Sequence, residues 1–385
     1  MKIWLVTEIP GPYRNPHFAE LSRQFQNKGH SFSVHFMSEE DDIRPSSWFD
    51  KKGINYPHVF YPKKTLRLGR RKIYWNLQLI LAALKEKPDL VILGGLWSSL
   101  TCLCILLLLP KHRTIGWVEL NERVLGVSNP ITNWVRKQLL LRPSALAVPG
   151  QSAKNYLQGL LSESQCANLS YIYFPNLIDE GLFQANVDAA KSSIIEPHRT
   201  QFNKIAFWPA RLEEEKGVLP FIELLTAEML RDWKIFLFGE GSLRDQAQEL
   251  IEKKKLGNVI HIHSYVSPSE VVSIYRSVDI LLLPSLRDPN PLSTIEALRM
   301  GIPLLTSSAV GNHFEAVTAK NGWVFRLEDS HQDQISLLTA VFSTSKERLS
   351  SMGEESGRIY EEKWKMKGAC SRTVQETCSL NLQLT

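Results

Sequence analysis

Short apolar runs that end in a turn recur along this chain, and many are followed by a segment with helical spacing. Lys2 to Thr7 reads as a buried strand, with the loop Glu8-Ile-Pro-Gly-Pro-Tyr after it. Phe18, Leu21 and Phe25 then fall on one helical face, and Lys28-Gly29-His30 ends that helix. Ser31 to Phe36 alternates as a second strand, residues 38–72 read as irregular, polar and then basic, and Trp75 to Leu84 reads as a helix. Leu90 to Leu93, closed by Gly94-Gly95, then Thr114 to Val118 and Ala145 to Val148 complete the strands of this half. Strands that are apolar throughout and alternate with helices predict a parallel sheet covered on both faces.

The alternation restarts after about residue 200. Strands are expected at 204–208, 234–238, 259–263, 280–283, 303–306 and 322–325, and helices at 218–225, 243–253 and 269–276, with another beginning near Ser293. The fold class this implies is α/β, with two doubly wound, Rossmann-like domains facing across a cleft at the carboxyl ends of their strands. The expected division is residues 1–175, a linker at 176–200, a second domain at 201–358, and a tail at 359–385 whose helix crosses back to the first domain.

The chain has 385 residues and 43% hydrophobic content, enough for two or three ordinary domains. Its long apolar run, Leu100 to Leu109, is broken by Pro110 and Lys111 and is about half the length a bilayer span needs. The N-terminus reads as a first strand, not a signal peptide. Five cysteines at spacings that match no metal site suit a reduced, cytoplasmic setting. The net charge of +5 hides an asymmetry. Residues 1–175 hold 22 Lys and Arg against 12 Asp and Glu, so the first half is basic and the remainder acidic. A basic half suits an anionic substrate or surface. No recognisable nucleic-acid module accompanies it.

Several residue sets point to chemistry. Asp288 and Glu296 follow an apolar strand on either side of a Pro-rich turn, with a helix beginning between them. Carboxylates there can take the hydroxyls of a sugar or ribose. A helix start also offers free N–H groups and stabilises a nearby carboxylate. The N–H groups of Asn290 and Leu292 add donors, whereas Pro291 has none. Arg211 and Lys216, five residues apart before Gly217, suit a diphosphate; a surface ion-pair cluster would look the same. Gly239 and Gly241 follow a strand, where glycine lets backbone approach a ligand or simply closes a βα turn. In the first half, Gly11 lies in the loop after the first strand. Glu119 ends a later strand, where it would hold an acceptor hydroxyl, act as a base, or cap a helix. His17 is expected on the polar side of the first helix. No Ser-His-Asp signature, zinc spacing or P-loop is present. Lys63-Lys64 and Arg67 through Lys72, followed by Tyr74, Trp75 and Leu77, form a basic-aromatic patch suited to anionic headgroups, an anionic glycan or a soluble metabolite.

An ordered set of stretches resembles the family-four type of retaining glycosyltransferases with the GT-B fold. They are FPNLIDEGLF at 174–183, ARLEEEKG at 210–217, GEGSLR at 239–244, YRSVDILLLPS at 275–285, DPNPLSTIEALRMGIP at 288–303, SSAVGNHFEAV at 307–317 and NGWVF at 321–325. The resemblance implies that the first domain is the acceptor side and the second binds the nucleotide sugar. Arg211 and Lys216 would bind the donor diphosphate, Glu296 the ribose, and Asp288 the donor sugar with backbone help from Asn290 and Leu292. Gly11 would lie beside the diphosphate, and Tyr265 and Val266 would frame the base. The family's usual first glutamate is Asp288 here, its usual Phe-Gly is Asn290-Pro291, and the second Gly of a Gly-Gly turn is Asn312. Glu119 stands where many members have histidine.

The activity implied is transfer of a sugar from a UDP- or GDP-sugar to a hydroxyl of a glycan, lipid-linked or small-molecule acceptor, with retention of configuration and with no metal or other cofactor. Catalytic roles would fall to Asp288, Glu119, Arg211 and Lys216. Peripheral contact with the anionic inner face of a membrane would suit a lipid-linked acceptor. Rival readings are an epimerase or phosphorylase of the same fold, or an inactive sugar-nucleotide-binding protein.

Overall fold

The computed structural model describes residues 1–40, 53–62, 64–68, 71–96, 99–121, 129–185 and 191–384. The chain divides into unit one, Met1–Asp179 with Lys365–Thr385, and unit two, Glu180–Trp364.

Unit one contains strands β1 (Lys2–Thr7), β2 (Ser31–Phe36), β3 (His58–Phe60), β4 (Thr65–Leu68), β5 (Arg71–Tyr74), β6 (Leu90–Gly94), β7 (Thr114–Trp117), β8 (Ala145–Val148) and β9 (Ser170–Tyr173). Its helices are α1 (Arg14–Asn27), α2 (Leu77–Glu86), α3 (Leu100–Leu108), α4 (Pro130–Leu141), α5 (Gln151–Leu160) and α6 (Glu163–Ala167). Seven strands form one parallel sheet in the order β3-β2-β1-β6-β7-β8-β9. The central β1 is buried on both faces through Ile3, Trp4, Leu5 and Val6, which is why it reads as a continuous apolar run. It pairs with β2 from Lys2↔Ser31 to Thr7↔Phe36 and with β6 from Ile3↔Leu90 to Val6↔Leu93.

Residues 38–72 depart from the irregular reading. Three residues of this stretch, His58–Phe60, add edge strand β3 to the sheet, too short a run for alternation to register. Thr65–Leu68 and Arg71–Tyr74 pair as a separate antiparallel hairpin, with Leu66 opposite Ile73 and Arg67 opposite Lys72. In the sequence Arg67 stands between Leu66 and Leu68 on the first strand, and Arg71 and Lys72 precede Ile73 and Tyr74 on the second. Within the basic patch expected here, Lys63, Gly69 and Arg70 lie outside the described residues.

Unit two contains β10 (Lys204–Pro209), β11 (Trp233–Phe238), β12 (Ile260–His263), β13 (Ile280–Leu283), β14 (Leu304–Ser307) and β15 (Gly322–Phe325). Its helices are α7 (Glu180–Ala185), α8 (Val218–Leu224), α9 (Arg244–Lys253), α10 (Pro268–Tyr275), α11 (Leu292–Arg299), α12 (His313–Ala316), α13 (His331–Ser343) and α14 (Lys346–Lys363). The sheet is parallel, ordered β12-β11-β10-β13-β14-β15. Its core joins Trp208, Phe221, Trp233, Leu237 and Leu282 from strands and helices alike. Much of the segment expected as a linker is held by unit two: Ser192 N donates to Ser277 Oγ at 2.8 Å, and Arg199 pairs with Asp279 at 2.6 Å.

The last helix, α15 (Met366–Leu384), packs on unit one. Gln24 donates to the Lys367 carbonyl at 2.8 Å, and Thr373 donates to the carbonyl of Tyr173, whose own N–H reaches Glu376. The two contacts at Tyr173 satisfy backbone groups on the β9 edge of the sheet, which would otherwise be unpaired.

Candidate functional site

Both sheets reverse strand order beside their first strand, at β1/β6 in unit one and at β10/β13 in unit two. The loops leaving such a reversal splay apart and open a crevice at the carboxyl ends of the strands. Of the sequence-predicted residues of unit two, Arg211 and Lys216 lie on the loop after β10, Asp288 on the loop after β13 and Glu296 on the helix that follows.

The loop after β10 carries Arg211 and Lys216 and closes at Gly217, whose φ is +67°. A Cβ there would stand 2.3 Å from the Pro284 carbonyl oxygen, so the loop approaches the end of β13 this closely only with glycine. Glu215 fixes the approach: its carbonyl accepts from the N–H groups of Leu286 and Arg287 at 2.9 and 3.0 Å. Lys216 Nζ then meets Asp288 Oδ2 at 2.5 Å, with the two side chains 19% and 11% exposed. The backbone of Asp288 is itself paired, donating to Ala309 O and accepting from Gly311 N. Arg211 turns elsewhere. It is 69% exposed and pairs with Glu215 at 2.7 Å, so Lys216 is the cation the fold presses against Asp288.

Gly239 and Gly241 have a packing role. A Cβ at either would fall within 1.8 and 2.3 Å of the carbonyl oxygens of Ala210 and Leu212, respectively. The turn after β11 is thus stacked on the loop after β10, and Glu213 clamps it by accepting from Ser242 N and Oγ at 3.0 and 2.7 Å.

Glu296 is the fifth residue of α11 and is buried. A helix N-terminus favours a charged carboxylate, but burial prevails and raises its pKa to about 7; the Tyr275 hydroxyl, donating to Oε2 at 2.8 Å, opposes the rise. Tyr275 was not singled out by sequence reasoning. Its signal is an aromatic with a polar tip on the buried side of α10, which requires a partner. Asn312 needs no glycine geometry at φ −87°; its side-chain amide donates to Pro291 O and Thr294 Oγ1, bracing the turn between Asp288 and α11. Asn290 and Leu292 flank that turn, both half-buried. Tyr265, after β12, is 70% exposed, with Val266 half-buried beside it.

In unit one, a cavity of about 200 Å³ sits at the β1/β6 reversal, lined by Thr7, Glu8, Arg14, Gly94, Trp117 and Glu119 among others. Arg14 reaches Glu119 at 3.3 Å and lies 4.8 Å from the centre of the Trp117 ring. Glu119 Oε1 is buried without a hydrogen-bond partner. Gly11 accepts from the N–H groups of Arg14 and Asn15, and a Cβ on it would meet no atom within 4 Å. His17 is not on the polar side of α1. It is buried against Phe18 and Phe174, and burial lowers its pKa to about 3, so the ring is neutral. Arg14 was also missed; it lies one turn before Phe18, in the loop-to-helix junction after β1.

Comparison with known proteins agrees with this architecture. The model of the family "Glycosyl transferases group 1" matches residues 192–356, inside unit two. An uncharacterized glycosyltransferase of Methanocaldococcus jannaschii is 26% identical over 125 residues, 32% of each chain. Alpha-D-kanosaminyltransferase of Streptomyces kanamyceticus is 22% identical over 190 residues, 48% of each. The chain therefore matches 32% and 48% of the length of these curated relatives. Among solved structures, sucrose-phosphate synthase of Thermosynechococcus elongatus superposes with a TM-score of 0.68 at 12% identity, covering 100% of this chain and 99% of the other. Anabaena HepE in complex with UDP-glucose does so at 0.66 and 14%, covering 98% and 99%. The fold is GT-B, and the chain is a glycosyltransferase-like protein related to several glycosyltransferases.

Proposed function

We propose that the chain is a retaining glycosyltransferase that moves a sugar from a UDP- or GDP-sugar to a hydroxyl of a glycan, lipid-linked or small-molecule acceptor. The observation that carries the reading is the Lys216–Asp288 pair on the loops of the unit-two strand reversal, with Glu296 buried on the helix that follows. A nucleotide sugar offers three things to hold: a ribose diol, a diphosphate and a sugar. Glu296, ionised, accepts the diol. Lys216 neutralises charge on the diphosphate as it leaves, and the exposed Arg211 can swing from Glu215 to add to it. Asp288, aimed by Lys216, takes a hydroxyl of the donor sugar. Tyr265 and Val266 frame the base and Gly11 leaves room for the diphosphate.

In the reaction, the bond from the anomeric carbon to the diphosphate oxygen breaks with its electron pair on that oxygen. The acceptor hydroxyl bonds to the same face of the sugar, and its proton passes to the leaving phosphate. The cationic side chains supply the charge compensation in place of a metal. The unit-one cavity, with an unpartnered carboxylate oxygen on Glu119 beside an aromatic ring, has the chemistry of a hydroxyl-bearing acceptor site. Incubation with a panel of UDP- and GDP-sugars, with and without acceptors, tests the reading. Donor consumption that requires acceptor supports it. Donor interconversion without acceptor, or binding without turnover across a broad acceptor set, overturns it.

A further inference from the structure

Among the described residues, twelve large apolar side chains stand exposed, and nine of them lie on α2, α3 and α4 of unit one. These three helices form one face. Residues of α2 and α3 pack in a common core cluster with Val91 and Leu93, and Leu139 of α4 packs against the same cluster. Arg142, capping α4, donates to the Leu109 carbonyl at the end of α3 at 3.0 Å. The inner side of α4 is accounted for by Leu140, which is buried with Val148 and Tyr156. Its outer side carries Ile131, Trp134 and Val135 at 72, 62 and 42% exposure, spaced i, i+3, i+4 as one stripe. Leu107 and Leu108 at the end of α3 are exposed by 55 and 56%. Scattered exposed leucines need no explanation, but nine exposed apolar residues on three helices that share one core cluster do.

Around α3 and α4 the charge has one sign; at the end of α2, Lys85 and Lys87 offset Glu86, which pairs with Lys2, and Asp89. No Asp or Glu occurs from Leu90 to Val118 or from Asn129 to Ser162, whereas Lys111, Arg113, Arg136, Lys137, Arg142 and Lys154 fall within those spans. A second copy docking symmetrically would set this basic surface against itself. An anionic bilayer satisfies both features at once: leucine and isoleucine enter the acyl boundary, tryptophan sits at the headgroup level, and lysine and arginine meet lipid phosphates.

We infer that the α2–α3–α4 face of unit one docks on the surface of an anionic lipid bilayer, with α4 lying along it. Among the described residues no helix is long and apolar enough to cross a membrane, and the contact inferred is with the surface. The inference stands apart from the sugar-transfer reading, and so does its test.

The test is flotation of the full chain with phosphatidylcholine vesicles, with and without phosphatidylglycerol. The parent should float with the phosphatidylglycerol vesicles, stay behind with phosphatidylcholine alone, and be released by salt. Ile131→Glu with Trp134→Glu should lower the bound fraction at least about tenfold, because both carboxylates would enter the acyl boundary against like-charged headgroups. Should that variant fail to fold, Lys111→Glu with Lys137→Glu reads the charge component on exposed and half-exposed sites. A parent that never floats, one that floats equally with neutral vesicles, or a folded variant that floats like the parent overturns the inference. So does a parent dimer, seen by sedimentation equilibrium, that Trp134→Glu converts to monomer, since the face would then belong to a second copy.

Discussion

Each unit places a cation against a carboxylate where its sheet reverses strand order, and the two pairs are built differently. In unit two, Lys216 and Asp288 touch at 2.5 Å, largely shielded, on loops stitched together by backbone hydrogen bonds from Glu215, Ala309 and Gly311. In unit one, Arg14 and Glu119 stand 3.3 Å apart at 38 and 30% exposure, beside an open cavity. A shielded pair loses much when one partner is removed, because the other is left uncompensated, whereas a half-exposed pair is screened and loses little. On the proposed reading, unit two would hold one fixed chemical group in a preorganised site, and unit one would adapt to what enters it.

The comparison breaks first at Lys216. Lys216→Ala should lower transfer by at least about tenfold at subsaturating donor, as loss of one charge-stabilising group does. It should also leave Asp288 short of a partner, costing on the order of 1–2 kcal/mol in denaturant unfolding after allowance for partial exposure. Comparable rates for variant and parent would remove Lys216 from the diphosphate role. Arg211→Ala, by contrast, takes away an exposed pair and should leave stability unchanged.

Glu296 sharpens the contrast through pH. The folded protein keeps its proton up to about pH 7, whereas the unfolded chain releases it near 4.5. The unfolded state therefore binds fewer protons in between, and stability falls as pH rises across that window. Glu296→Gln lacks this fall, so above pH 7 it should be more stable than the parent by about 3 kcal/mol, and equal to it near pH 4.5. Binding should move oppositely. Parent affinity for UDP-glucose, whose diphosphate does not titrate there, should rise several-fold as pH climbs through about 7, since the ionised carboxylate is the better acceptor. Calorimetry that finds a flat profile, or unchanged affinity in Glu296→Ala, would separate this residue from the ribose. Tyr275→Phe is the milder version. Loss of the hydroxyl's donation should push the Glu296 midpoint further up and weaken binding a few-fold at neutral pH, with the effect vanishing in alkaline buffer.

This difference in construction also explains what was legible beforehand. The strands of both units announce themselves, because burial on both faces leaves no room for polar residues, as in Ile3–Val6 and Ile280–Leu283. Lys216, Asp288 and Glu296 stand out as candidates because their loops are short and begin at such strands. What could not be read is contact between distant segments. Tyr275 supports Glu296 from 21 residues away, and Arg14 meets Glu119 across 105. His17 has helical spacing that suits either face, and only the packing of Phe174 decides that it is buried. Nothing in a run of three glutamates distinguishes Glu213, which clamps the turn after β11, from Glu215, whose carbonyl holds the loop after β13.

The smallest expected effect lies with Arg14, and it tests the adaptable half of the comparison. Its guanidinium covers the Trp117 ring at 4.8 Å and holds one oxygen of Glu119, while the other oxygen has no partner. Removing it in Arg14→Gln loosens the carboxylate without altering unit two. Donor affinity by calorimetry should therefore be unchanged, and stability should change by less than about 1 kcal/mol. The acceptor KM should rise, by a few-fold, with kcat close to the parent value, the pattern of lost ground-state binding. A fall in kcat at constant KM would mean instead that Glu119 must be held rigidly for the chemical step, and the two reversal sites would then be alike in kind after all.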